Sequence, residues 1–282
     1  TGSSTLGSFG DLQKISANDW DALEAKFGGR IYGFEHLTLS ESPIQNAIEL
    51  ATQLPKGAQV NLVTHSRGGI VGDLLCLDSF SDELIEQFKS DLPEPGDVPE
   101  DERERLKKEI ANAHAEQRAK LRDLRALLQD RQFAIRRYVR VAAPARGTLL
   151  ASGNFDVFLS ALLTLIGRVP YLYGNPLYYA FKRVVLEIAK NRTNAKLVPG
   201  IEAMLPDAPM ARFLASAKPQ GSTQFAAISG DTEGGGLLKR LGVLFTDYAF
   251  FSGVDNDLVV DTGSMYAGIA REARGRALFD QG

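Results

Sequence analysis

The sequence predicts an α/β fold, with a mostly parallel central sheet and helices on both of its faces. Strand-like and helix-like stretches alternate over the first 80 residues, as crossover connections between parallel strands require. The run Val60-Asn61-Leu62-Val63 ends abruptly at Thr64-His65-Ser66-Arg67-Gly68-Gly69, and Ile70, Val71, Leu74 and Leu75 then recur at helical spacing. A chain of 282 residues with 44% hydrophobic content can bury a sizeable core, as one large domain or a domain with insertions.

Residues 1–10 are rich in Gly, Ser and Thr and read as a loop. Residues 11–27 are predicted helical, with Leu12, Ile15, Trp20, Leu23 and Phe27 available for one face, and Gly28-Gly29 ends the helix. Residues 30–34 are predicted to form a strand running into Glu35-His36. Ser42 as N-cap and Pro43 at the first helical position start the next helix, with Ile44, Ile48 and Leu50 inward. Leu54-Pro55-Lys56-Gly57 turns the chain into the strand that ends at Ser66, and Cys76 falls on the apolar face of the helix beyond it, a core position.

Residues 81–137 break the alternation. A short helix marked by Leu84, Ile85 and Phe88 is interrupted by Pro93, Pro95, Gly96 and Pro99, and a long charged helix covers about residues 100–130. Its apolar seam (Leu106, Ile110, Ala113, Leu121, Leu124, Leu128) is narrow, which suits a helical arm projecting from the body as a lid, a docking arm or an inert insertion. His114, among charged neighbours, is expected at the solvated surface. The expected organisation is therefore a main domain of residues 1–80 and 138–282, a helical insertion at 81–137, and a helical cap at 154–200.

Residues 138–143 form the next predicted strand, followed by Pro144-Ala145-Arg146-Gly147-Thr148. Residues 155–186 carry Phe158, Leu162, Tyr171, Tyr173, Tyr178 and Phe181, as expected of helices over the sheet top or a wall against an apolar acyl group. A helix with Met210, Phe213 and Leu214, a strand at residues 225–231 and the acidic loop Asp255-Asn256-Asp257 complete the order.

A net charge of −3 with intermixed signs gives no footprint for nucleic acid or an anionic membrane surface. No run of eighteen apolar residues argues for a membrane span, and the single cysteine fits a reducing, cytoplasmic compartment. No Cys/His cluster has metal-ligand spacing, no dinucleotide glycine pattern is present, and Gly234–Gly236 lacks phosphate-loop spacing, so no metal or cofactor is expected.

The chemistry-bearing stretch is the Ser66 turn, which reads as a nucleophile elbow. A serine hydroxyl is a weak nucleophile, and projection from a strand–helix turn brings it to a base and to backbone N–H groups that can hold an oxyanion. Gly68 supplies the small residue two positions after Ser66, and Thr64 stands where Gly is usual two before. The competing reading is a serine that merely caps the helix.

Several stretches together resemble one family. Val63-Thr64-His65-Ser66-Arg67-Gly68-Gly69 resembles the elbow of lipase- and esterase-type α/β-hydrolases. Pro144-Ala145-Arg146-Gly147-Thr148 is similar to their turn after the next strand, and Asn256-Asp257-Leu258-Val259-Val260 to their acid-bearing loop, with Leu258 in place of the usual Gly. Thr1-Gly2-Ser3-Ser4 looks like the tail of their oxyanion loop. More narrowly, the pattern resembles the hydrolase-like modules of large bacterial proteins that carry caspase-like CHAT domains.

The resemblance implies Ser66 as nucleophile, Asp257 as the acid orienting the base, and backbone N–H groups of Arg67 and of Thr1 or Gly2 as oxyanion donors. The family's histidine follows its acid, and no His follows Asp257 here. His65 adjoins Ser66, His114 lies on the insertion, and His36 stands at the end of a predicted strand as a weak candidate for the base. The family's sheet also carries a strand between those expected at residues 30–34 and 60–63. It is therefore expected to precede Thr1, and the histidine to follow Gly282, in a longer polypeptide, or both to come from another segment or chain. Two functions follow as expectations: a serine hydrolase of carboxylic esters, lipid esters among them, or an inactive docking module whose partner is a protein held by the 81–137 arm.

Overall fold

The computed structural model describes residues 9, 12–37, 41–89, 100–147, 199–205, 208–229 and 268–269. In chain order its elements are α1 (Leu12–Ile15), α2 (Ala17–Phe27), α3 (Pro43–Gln53), β1 (Gln59–His65), α4 (Gly68–Leu75), β2 (Leu77–Ser79), α5 (Asp82–Glu86), α6 (Glu100–Arg131), β3 (Ala134–Val141), α7 (Pro199–Glu202), α8 (Pro209–Ser216), β4 (Lys218–Pro219) and β5 (Gln224–Ile228). No helix among the described residues is long and apolar enough to cross a membrane.

The centre is a three-stranded parallel sheet in the order β1-β3-β5. The ladder sets Leu62 beside Tyr138 and Tyr138 beside Phe225, with Thr64 beside Arg140 and Arg140 beside Ala227. These residues face the helices. Ile44, Ala47 and Ala51 of α3, Ile70, Leu74 and Leu75 of α4, and Leu121, Leu124 and Leu128 of α6 are buried against them in one core, which Met210, Phe213 and Leu214 of α8 extend. Each such Leu, Ile, Met or Phe side chain removed from water contributes about 1.5–3 kcal/mol. Ser42 caps α3 as its sequence predicts, accepting from the Gln45 N–H at 3.1 Å, with Pro43 at the first turn.

Cover on both faces was the expectation, and the described residues provide it on one. On the other face Val63 is 55% and Ile228 54% exposed. Residues 30–34, expected as a strand, form no ladder with any described strand, and Tyr32 is exposed. A strand is stabilised by its neighbour's hydrogen bonds, and no described strand lies beside the free edge of β1 to provide them. The helix expected at residues 11–27 breaks at Ser16, whose extended φ of −145° separates α1 from α2, and neither helix buries a residue.

The long helix α6 is present as predicted but does not simply project. Leu121, Leu124 and Leu128 lie in the core beside α3, and Ile110 is also buried. The seam packs inward, while the charged flanks reach back to α5: Arg125 donates to Asp82 at 2.9 Å, and Arg122 pairs with Glu86. A short antiparallel pair, β2 with β4, closes the end of the core.

Candidate active site at the Ser66 turn

The β1 strand ends in a backbone conformation that L-residues seldom adopt. Ser66 has φ 55°, and Ala142, the residue after β3, has φ 46°. His65 and Val141 are partners in register, so these two left-handed residues sit side by side at the carboxyl ends of adjacent strands. A stair of hydrogen bonds holds both: the Ser66 N–H donates to the Val141 carbonyl at 2.9 Å, and the Ala142 N–H to the Ile228 carbonyl at 2.9 Å. Sparsely populated backbone of this kind costs on the order of 1–3 kcal/mol and collects at functional sites.

Helix α4 begins immediately. The Gly69 N–H donates to the Ser66 carbonyl at 2.8 Å and the Ile70 N–H to the Arg67 carbonyl at 3.0 Å. No described residue accepts from the N–H of Arg67 or of Gly68. Two unengaged donors at a helix N-terminus, next to a serine, form a place where negative charge is stabilised.

The helix approaches β3 closely because its contact positions are glycines. A Cβ at Gly72 would lie 2.5 Å from the Tyr138 hydroxyl, and one at Gly69 would meet Ala143 and the Arg140 methylenes. Tyr138 uses that proximity, donating to the Gly69 carbonyl at 2.6 Å, and the Thr64 hydroxyl reaches the same phenol oxygen at 3.5 Å. Burial pushes the Tyr138 phenol well above its ordinary pKa, so it remains a donor.

Below the turn, Asp73 of α4 and Arg140 of β3 meet at 2.6 Å with both side chains fully buried. Arg140 also lies over the Phe225 ring, 5.0 Å from its centroid, and the Ile269 N–H donates to Asp73 at 3.2 Å. The chain thus returns to α4 at Gly268–Ile269. Arg67 is likewise fully buried, donating to the Asn46 side chain at 3.0 Å and to the Glu41 carbonyl. Burial lowers its pKa to about 9, and the Glu41 carboxylate opposes that shift.

The three histidines separate. His36 lies beside the turn, its Cε1 within 3.9 Å of where a Cβ on Gly68 would sit, and its ring stacks on Phe34 at 5.6 Å. Burial foremost, with help from the nearby Arg67 guanidinium, brings its pKa down to about 4. His65 occupies the last position of β1, and burial lowers its pKa as well. His114, expected in solvent, is buried: its Nε2 is 2.7 Å from Glu202 of α7, and its ring meets the edge of Phe88. It falls on the core-facing seam with Ile110 and Leu121, at spacings of four and seven residues, which the charged flanks obscured in the sequence.

Thr1, Gly2 and Asp257 lie outside the described residues, as do the aromatic run at 155–186 and the loop from Asp255 to Asp261. Among the described residues, no three His, Cys, Asp or Glu side chains converge as a metal site needs. The buried pairs Asp73–Arg140 and Arg67–Asn46 went unread in the sequence. The available signal was an Arg between Val139 and Val141 in a strand, and an Asp within the apolar run Ile70–Leu75.

The described residues thus define a mixed α/β protein whose parallel sheet presents a serine at a strand–helix turn. The chain belongs to the family described as Domain of unknown function (DUF7379), which matches residues 1–85 and 118–279. The match passes over residues 86–117, which include the first half of α6 and His114. No curated protein and no solved structure matches the chain.

Proposed function

We propose that the protein is a serine hydrolase of the α/β-hydrolase type, acting on carboxylic esters with Ser66 as nucleophile. The observation that carries this reading is the left-handed Ser66 (φ 55°) between β1 and α4, beside the unengaged N–H groups of Arg67 and Gly68. A capping serine gains nothing from such strain, since a capping residue normally sits in extended backbone.

In the proposed reaction the Ser66 Oγ attacks the acyl carbon while a base takes its proton, and the carbonyl oxygen becomes an oxyanion held by the Arg67 N–H. The C–O bond breaks, the alcohol leaves with that proton, and water then releases the acyl group from Ser66. Asp257 is assigned from the sequence to orient the base. His36, next to Gly68 and kept neutral at pH 7 by burial, is assigned here as that base.

The test is covalent labelling. The protein is treated with a fluorophosphonate and the adduct mapped by mass spectrometry, with Ser66→Ala as control. A stoichiometric adduct on Ser66 alone supports an activated nucleophile. A folded protein that takes no label refutes the hydrolase reading.

A further inference from the structure

The peptide unit between Ser66 and Arg67 carries the N–H that would meet an oxyanion, so its direction decides the site. Its carbonyl accepts from the Gly69 N–H at 2.8 Å. In a planar trans unit the N–H points opposite to the C=O, so the Arg67 N–H is aimed out of the start of α4. Ser66 beside it holds φ at 55°, backbone that a non-glycine residue leaves unless its surroundings prevent it. Rotation of the unit would relieve that strain and turn the N–H away. On the strand side, the bond from the Ser66 N–H to the Val141 carbonyl at 2.9 Å resists this.

On the helix side the restraint is the Arg67 side chain, which is fully buried. Its Nη1 donates to Asn46 Oδ1 at 3.0 Å and its Nη2 to the Glu41 carbonyl. Asn46 is buried in the first turn of α3, and Glu41 immediately precedes the Ser42 cap, so both acceptors belong to the start of one helix. Glu41 also lies five residues after His36, so the same contact tethers the segment that bears the assigned base. Hydrogen bonds from a cation are roughly twice as strong as neutral ones, and a planar fork fixes direction as well as distance. An apolar side chain of similar volume would fill this space without the cost of dehydrating a charge. It would not fix a direction.

We propose that the Arg67 side chain is a positioning group for Ser66 chemistry, its fork to Asn46 and Glu41 holding the Ser66–Arg67 peptide unit with its N–H toward the oxyanion, a role that rests on the reading of Ser66 as nucleophile.

Fluorophosphonate labelling reads this role. The bond from Ser66 Oγ to phosphorus forms, the base takes the proton, fluoride leaves, and the phosphonyl oxygen gathers charge where the Arg67 N–H meets it. The maximal labelling rate kinact therefore reports the aim of that N–H, while the half-saturating concentration KI reports reagent binding. A misplacement of about 1 Å can cost on the order of a hundredfold in rate. Arg67→Met should thus lower kinact by about ten- to a hundredfold and leave KI within about twofold. Arg67→Lys, which keeps the charge but not the fork, should fall between Met and Arg. Asn46→Asp keeps an acceptor for Arg67 and should label as the unaltered chain does, whereas Asn46→Leu should be slow. Leu121→Ala loosens the core away from the turn, so it should lower the melting temperature and leave kinact unchanged.

Two results overturn the proposal while leaving the hydrolase reading in place: Arg67→Met labelling as fast as the unaltered chain, or Leu121→Ala slowing as much as Arg67→Met. A folded, unaltered chain that takes no label removes the hydrolase reading and this role with it. Should Arg67→Met fail to fold, Arg67→Lys and the two Asn46 variants decide, and rates equal to that of the unaltered chain refute the fork.

Discussion

Asp73 and Arg140 face each other at 2.6 Å with no access to solvent, one on the helix after Ser66 and the other on the neighbouring strand. The pair fixes how α4 lies on β3, and so how the Ser66 turn is presented. Replacing one partner leaves a buried charge without its counterion. Asp73→Asn or Arg140→Met is therefore expected to cost about 3–5 kcal/mol in urea unfolding. The double variant Asp73→Leu with Arg140→Met should recover much of that loss, because no lone charge remains.

Glycines at neighbouring positions of one helix are expected to answer differently to the same change. A Cβ at Gly68 meets only ordinary contacts at 3.9 Å, whereas at Gly72 it would press on the Tyr138 hydroxyl at 2.5 Å. Gly68→Ala should leave stability unchanged or raise it by up to about 1 kcal/mol, through helix propensity. Gly69→Ala and Gly72→Ala should each lose about 1–3 kcal/mol by overpacking. Thermal unfolding of the three variants separates them.

His36 makes stability depend on pH in a defined window. Its pKa is about 4 in the folded chain against 6.5 for the ordinary imidazole, so between these values the unfolded chain binds more protons. Stability contributed by the neutral ring is therefore present above pH 6.5, declines as pH falls, and is gone below about 4. The loss is on the order of 2 kcal/mol after screening, and His65 adds to it in the same direction. His36→Gln should flatten this part of the stability curve. If His36 also serves as the base, the same variant should slow fluorophosphonate labelling of Ser66 by about a hundredfold or more.

Local rules made the strand–helix turn at Ser66, α3 and the strands β3 and β5 legible, because each announces itself within a few residues. Ser42-Pro43 starts a helix by chemistry that needs no distant partner, and Ile70, Val71, Leu74 and Leu75 carry their period on their own. Residues 30–34 have strand composition too, yet they stay outside the sheet, since a ladder needs a neighbour that composition cannot supply. The β2–β4 pair escaped notice because two and three residues show no period, and Pro219 argues against a strand. For His114 the error was one of averaging: its charged neighbours describe the exposed side of α6, while its own position belongs to the seam. At the candidate site the motif located Ser66, but the left-handed Ala142 beside it arises from parallel register and has no local signature.

The contact between His114 and Glu202 joins a residue outside the family match to one inside it. Glu202 lies in the stretch shared with the family, while His114 lies in the segment that the family match passes over. A buried carboxylate is tolerated only with a partner. A chain without the segment is therefore expected to carry no acid at this place, or another partner for it. The segment carrying His114 is thus a condition for keeping Glu202 ionised in the core, and the two are expected to be present or absent together.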